Sequence, residues 1–254
     1  MQTLPDFIIA GAQKSGTSSL YFYLRQHPQI LPAPGKELHF FSGGVDPKVD
    51  LYKNGLDWYR TLFPEKRDSA EKSFEATPFY LFHPLAAERI AAALPNVKLI
   101  FLLRNPVERA ISHYFHVQKS VQVPFSIEEA FRKEELLLPG LMEEQAYHRR
   151  AFRKHSYKAR GLYAQQLNRY FRYFSEKQLL VLSFEELMKD FDSCLSKVFD
   201  FIGVDPDFSV TNRERKNVSH NRIELPEAIY QELGSYYQRP NQDLYRMLGR
   251  DFGW

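Results

Sequence analysis

The chain has 254 residues, 44% of them hydrophobic, with 34 Lys and Arg against 31 Asp and Glu and a formal net charge of +3. That slight excess of base argues against a generic nucleic-acid binder, and the one cysteine, Cys194, excludes an internal disulfide and a cysteine-rich zinc site. No run approaches the roughly 20 apolar residues of a membrane span, and the start MQTLPDFIIAGA lacks the basic leader and apolar core of a secretion signal, which predicts a cytoplasmic protein.

Strand-like apolar runs alternate with helical stretches, and no linker, repeat or low-complexity tract divides them. This predicts one α/β domain over residues 1–254, with a central parallel sheet flanked by helices. The first element, Phe7 to Ala10, reads as a short buried strand. It breaks into a turn in which Gly11 and Gly16 allow tight bends and Thr17, Ser18 or Ser19 can cap a helix running to His27, before Pro28. Free N–H groups at such a helix start bind an anion, and the dipole behind them helps. Lys14 adds a point charge and Ser15, Thr17, Ser18 and Ser19 add hydroxyl donors, so the turn reads as a P-loop-like phosphate cradle. It is not the nucleotide triphosphatase pattern, because Lys14 precedes Gly16.

Pro32, Pro34 and Gly35 predict an irregular loop that delivers Lys36, Glu37, Leu38 and His39 ahead of Phe40 and Phe41. Glu37 and His39 lie two residues apart, so an extended backbone would turn both to one side, an arrangement suited to proton transfer. A short helix is expected over Asp57 to Phe63, a strand over Lys72 to Ala76 and a helix over Pro84 to Leu94. Val97 to Leu103 is nearly all apolar, as a central parallel strand should be, and Arg104 follows at its carboxyl end, where such sheets bind ligands. Arginine there can hold phosphate directly and offers no magnesium ligand. Asn105 and Pro106 start a helix through Gln118, with Ser112 about two turns along.

Ser126 to Leu138 is an amphipathic helix. His148 to Arg160, HRRAFRKHSYKAR, has many bases and no acid; it is either a solvated helix face or a surface for an anionic partner. An aromatic helix over Gly161 to Phe174, a strand over Gln178 to Ser183 and helices over Ser183 to Met188 and Phe191 to Ile202 follow, with Gly203 as the stop. Cys194 reads as a small core residue. Thr211 to Arg222 is polar and basic. Two last helices, Pro226 to Tyr237 and Asn241 to Leu248, lead to Phe252 and Trp254, expected to plug the core.

KSGTSSL after an apolar strand, together with LIFLLRNPVERAISHY, resembles the 5′-phosphosulfate loop and 3′-phosphate motif of sulfotransferases that use 3′-phosphoadenosine 5′-phosphosulfate. The branch it is similar to is the heparan sulfate (3-O and N) one with its single-domain bacterial relatives, and ELHFF, EATPFYLFHP and the terminal DFGW extend the likeness over nearly the whole chain. The resemblance implies that Lys14, Ser15, Gly16, Thr17, Ser18 and Ser19 hold the phosphosulfate and that Arg104 and Ser112 grip the 3′-phosphate. It implies Glu37 as the base, with His39 beside it. His39 is the alternative base, because the soluble small-molecule sulfotransferases use histidine. Tyr163 is implied near the nucleotide, and Lys216, Asn217, Ser219 and Arg222 in a loop closing over the product, adenosine 3′,5′-bisphosphate. No metal is implied. Ala76 departs from the pattern, since the vertebrate relatives carry a lysine there, which weighs against a heparan acceptor; saccharides, lipid or polyketide hydroxyls and small metabolites stay open. The rival readings are a P-loop-type small-molecule kinase and a non-catalytic polyanion-binding module. The kinase is disfavoured by the order of Lys14 and Gly16, and the module leaves Glu37 unexplained.

Overall fold

Phe7–Gly11 (β1) is buried at every position, as a strand with neighbours on both sides must be, and it lies at the centre of a five-stranded sheet. The structure, a computed structural model, describes residues 3–119, 125–216 and 225–254. The strand order is β2-β3-β1-β4-β5, with Ile30–Pro32 (β2), Lys72–Ala76 (β3), Lys98–Leu103 (β4) and Leu179–Ser183 (β5). All neighbouring pairs are parallel. The register sets Phe7 opposite Phe74, and their rings stack at 4.7 Å. β2 was not expected, and its last residue, Pro32, stands where an irregular loop was expected to start. Its three residues pair with β3 at the edge of the sheet, where a proline that donates no hydrogen bond is tolerated.

The chain divides into two compact units, Met1–Leu103 with Arg169–Asn217, and Arg104–Asn168 with Val218–Trp254. The first holds the sheet. The alternate residues Phe7, Ile9, Phe74, Ala76, Ile100, Leu102 and Leu182 form one apolar face. Against it pack Thr17–Leu24 (α1) through Leu20, Tyr23 and Leu24, and Phe191–Ile202 (the second α-helix after β5) through Leu195, Val198, Phe199 and Ile202. Cys194 belongs to this core, and burial pushes its thiol up to about 11. On the opposite face Phe101 meets the Tyr170 ring at 4.9 Å, and the Tyr170 hydroxyl donates to the Tyr80 carbonyl.

The second unit is helical. Its core joins Ala110, Ile111 and Tyr114 of Pro106–Gln118, Ile127, Ala130 and Phe131 of Ile127–Glu143, and Ile229, Leu233 and Tyr237 of Glu227–Leu248. The last is one helix where two were expected. Ile229, Leu233, Tyr237, Asn241 and Leu244 make a single buried stripe, and that continuous burial carries the helix through Pro240. Phe252 and Trp254 are half-buried rather than core plugs; they stack at 4.7 Å, and the Tyr245 hydroxyl donates to the Trp254 carbonyl. Among the described residues, no helix is long and apolar enough to cross a membrane.

The basic run is not uniformly a surface. Lys158 and Arg160 are buried, and the Arg160 guanidinium is spent on Ser156 Oγ and the Arg153 carbonyl. Beside them the buried Glu134 accepts the Lys158 N–H at 2.6 Å and the Ala159 N–H at 2.8 Å. Burial pushes its carboxyl up to about 7, against those two donors and the charges of Arg109 and Lys158.

Glu134→Ala leaves both N–H groups unpaired, which should cost about 1–3 kcal/mol each, read as a lower urea midpoint. The folded carboxyl titrates near 7 and the unfolded one near 4.5. Its stabilisation is therefore complete below the unfolded value and fades as pH rises through the folded one. The gap between parent and variant should accordingly narrow from acid to neutral pH, and a gap that widens instead would contradict the assignment.

Candidate active site

The chain leaves β1 through a turn in which the Ala12 N–H reaches the Leu102 carbonyl at 2.9 Å. Lys14 takes φ 70° and Gly16 φ 87°, both left-handed. At Gly16 a side chain is excluded twice over, since a Cβ would also lie 2.6 Å from the Phe184 ring. Gly16 is the N-cap of α1 with no side-chain cap, so the expected capping by Thr17, Ser18 or Ser19 does not occur. The left-handed turn swings the Gly16 carbonyl under the helix, where it accepts from Ser19 and Leu20 N–H at 2.9 and 3.1 Å. The hydroxyls serve elsewhere. Ser15 Oγ is buried with no hydrogen-bond partner among the described residues, as a donor meant for a ligand would be. Ser18 Oγ accepts from Lys36 Nζ at 2.5 Å. Ser19 Oγ is taken by the backbone of Lys216, accepting from its N–H at 2.9 Å. Thr17 is buried.

Lys216 thus lies beside α1 through its backbone, while its ammonium meets Glu214 at 2.6 Å and covers the Phe22 ring at 4.4 Å. Asn217, Ser219 and Arg222 lie outside the described residues.

Glu37 and His39 come together by a route other than the expected extended backbone: both are left-handed, at φ 64° and 55°. Three ties fix the segment. The Glu37 N–H donates to the Ala76 carbonyl at 3.0 Å, His39 N–H to Thr77 Oγ1 at 3.3 Å and Phe41 N–H to the Tyr80 hydroxyl at 3.3 Å. Behind them sits Glu75, wholly buried, accepting from Tyr59 and Thr77 hydroxyls at 2.6 Å each and from Tyr80 at 3.1 Å. Burial pushes its carboxyl up, and those hydroxyls oppose the shift.

Glu37 Oε2 faces His39 Nε2 at 3.4 Å, and Oε1 faces Lys36 Nζ at 3.3 Å. A carboxylate only accepts, so Nε2 carries the proton between them. On the far side of the ring, Nδ1 meets Ser42 Oγ at 3.1 Å. Burial pushes the Glu37 carboxyl up, but the His39 hydrogen bond and the charges of Lys36 and His39 outweigh it and pull the group down to about 2. The Glu37 side chain is 36% exposed and that of His39 6%. Sequence reasoning gave no role to Lys36 or Glu75. The available signals were a cation directly before Glu37 and a lone carboxylate in an otherwise apolar strand end.

Arg104 follows β4 in the chain and opens the second unit. Its guanidinium pairs with Glu108 at 3.2 Å. Asn105 caps the next helix, Pro106–Gln118, accepting from the Val107 N–H at 3.0 Å, and Ser112 is half-buried on that helix. Tyr163 is buried, donates its hydroxyl to the Arg104 carbonyl at 2.8 Å and packs on Trp254 at 5.9 Å. It holds the Arg104 backbone.

Glu75→Gln puts amide protons against hydroxyls that now donate to a carboxylate. We expect a loss of about 1.5–3 kcal/mol in urea unfolding, with Tyr59→Phe costing less because only one donor goes. An unchanged Glu75→Gln midpoint would show that the cluster does not hold the segment.

Comparison with known proteins bears on this geometry. Residues 4–231 match the sulfotransferase domain family. The membrane-associated sulfotransferase kil1 of Dictyostelium discoideum is 27% identical over 99% of this chain and 66% of its own length. Mouse heparan sulfate glucosamine 3-O-sulfotransferase 6 is 34% identical over 98% of this chain and 73% of its own. Among solved structures, a sulfotransferase from Alicyclobacillus acidocaldarius is 35% identical with a TM-score of 0.81, covering 98% of both chains. The chain therefore belongs to the sulfotransferase domain family.

Proposed function

We propose that the protein moves the sulfuryl group of 3′-phosphoadenosine 5′-phosphosulfate to an acceptor hydroxyl, in preference to an amine, by direct in-line transfer. Family membership implies the donor. The observation that carries the reading is the chain of contacts from the phosphate loop through Lys36 to the Glu37 carboxylate, which joins an anion cradle to a partly exposed base.

Glu37 takes the acceptor proton, the freed oxygen attacks sulfur, and the bond from sulfur to the 5′-phosphate oxygen breaks with its electron pair staying on the phosphate. Lys14, the N–H groups at the start of α1 and the Ser15 hydroxyl stabilise the charge growing there, the preorganised electrostatics that phosphoryl transfer also uses. Glu37 is the more exposed of the pair, which supports it as the group that meets the acceptor, and the buried His39, whose donation to Glu37 lowers that carboxyl, is given the task of orienting it. Arg104 and Ser112 are assigned to the 3′-phosphate, and Lys216 to the bisphosphate, on the resemblance. Ala76 supplies no charge, so the acceptor that fits is a saccharide, lipid or polyketide, or small-molecule hydroxyl rather than a heparan chain.

Adenosine 3′,5′-bisphosphate should raise the melting temperature without magnesium, by mass action, and a kinase or a polyanion-binding module would not show this. Lys14→Ala should keep the fold and lose roughly 10²-fold or more in turnover, measured as transfer from labelled donor to a panel of hydroxyl acceptors. Glu37→Gln should bind the bisphosphate nearly as well as the parent while turnover falls by about 10² to 10⁴. If Glu37→Gln turns over normally and His39→Asn is dead, the base is His39.

A further inference from the structure

Lys36 was not among the residues that sequence reasoning assigned to the site, yet it touches both halves of the chemistry. Its ammonium carries three N–H donors. One goes to Ser18 Oγ in the phosphate loop at 2.5 Å, and one to Glu37 Oε1 at 3.3 Å. Among the described residues the third has no partner. The side chain is 24% exposed, so the remaining donor is open to a ligand. A lysine placed only to pair with Glu37 would have no reason to spend its shortest contact on a hydroxyl of the anion loop.

The charge balance points the same way. During transfer the sulfuryl group passes between two oxygens with negative charge spread over its own three, and Glu37 adds a further negative charge close by. Lys14 belongs to the leaving-phosphate side. The Glu37 N–H is bonded to the carbonyl of Ala76, an apolar residue that brings no cation to the base. Among the described residues, Lys36 is the lysine paired with Glu37, at 3.3 Å.

We propose that Lys36 is a catalytic cation for the sulfuryl group itself: its third N–H binds a sulfuryl oxygen of the donor while the other two keep Ser18 and Glu37 in register. This rests on the sulfotransferase reading above. The step stays balanced as written there. The acceptor proton goes to Glu37, the oxygen–sulfur bond forms, and the leaving pair stays on the phosphate, with Lys36 neutralising charge and neither giving nor taking a proton.

The test needs no acceptor, because donor and product differ by the sulfuryl group. Binding of 3′-phosphoadenosine 5′-phosphosulfate and of adenosine 3′,5′-bisphosphate to the full chain is measured by calorimetry for the parent, Lys36→Met and Lys36→Arg. Lys36→Met should weaken the phosphosulfate about 10- to 100-fold, the worth of a charge-assisted hydrogen bond, and change the bisphosphate by less than about 2-fold. Lys36→Arg, which keeps the charge and the donors, should recover most of the loss. Equal weakening of both ligands would make Lys36 a scaffold for Ser18 and overturn the proposal, as would no weakening of either. If the parent binds neither ligand, it is the sulfotransferase reading that fails.

Discussion

A carboxylate that never reaches solvent sets the shape of the segment that carries Glu37 and His39. Glu75 gathers the hydroxyls of Tyr59, Thr77 and Tyr80 around itself, and two of these, Thr77 and Tyr80, turn outward to take the N–H groups of His39 and Phe41. A buried ionisable group is tolerable only when its hydrogen bonds are made, so the cluster is either complete or costly. That condition ties strand β3 to the loop carrying Glu37. The two left-handed residues in that loop, unusual for side chains of their kind, persist because the anchors on either side leave the backbone no other path.

The turn after β1 solves a different problem with backbone alone. Because Gly16 starts the helix by its own carbonyl, none of the neighbouring hydroxyls is consumed in capping. They divide the remaining tasks. Ser19 holds the chain at Lys216, Ser18 receives Lys36, and Ser15 stays buried and unpaired among the described residues. A run of similar residues in sequence thus ends in three different surroundings once the turn has fixed where each one points.

The sheet was legible because β1 and β4 are nearly uninterrupted apolar runs, a pattern that only a strand flanked on both sides requires. The edge strand β2 was not, since three residues ending in proline carry no periodicity and pair only because β3 is there to receive them. Pro240 misled in the other direction: local propensity said two helices, and a buried stripe running past it made one. Glu37 and His39 were expected on one side from their spacing, and their side chains do meet, although the backbone between them is not extended. Lys36 and Glu75 escaped notice because each also has a partner well removed in sequence, Ser18 for Lys36 and Tyr59 for Glu75, and the local signals, a cation beside Glu37 and a carboxylate at an apolar strand end, do not reveal those contacts. Lys158 and Arg160 looked like surface charge because a run of bases usually is; tertiary packing enclosed them instead.

The single cysteine has a practical side. Cys194 sits in the helix packed on the sheet, and with its thiol raised to about 11 by burial, only about one molecule in 10⁴ presents a thiolate at neutral pH. Folded protein should therefore resist alkylation, and reagent should enter only when that helix lifts from the strands. The rate of modification becomes a clock for opening of the sheet unit, with no labelled residue to engineer and no second thiol to confuse the reading.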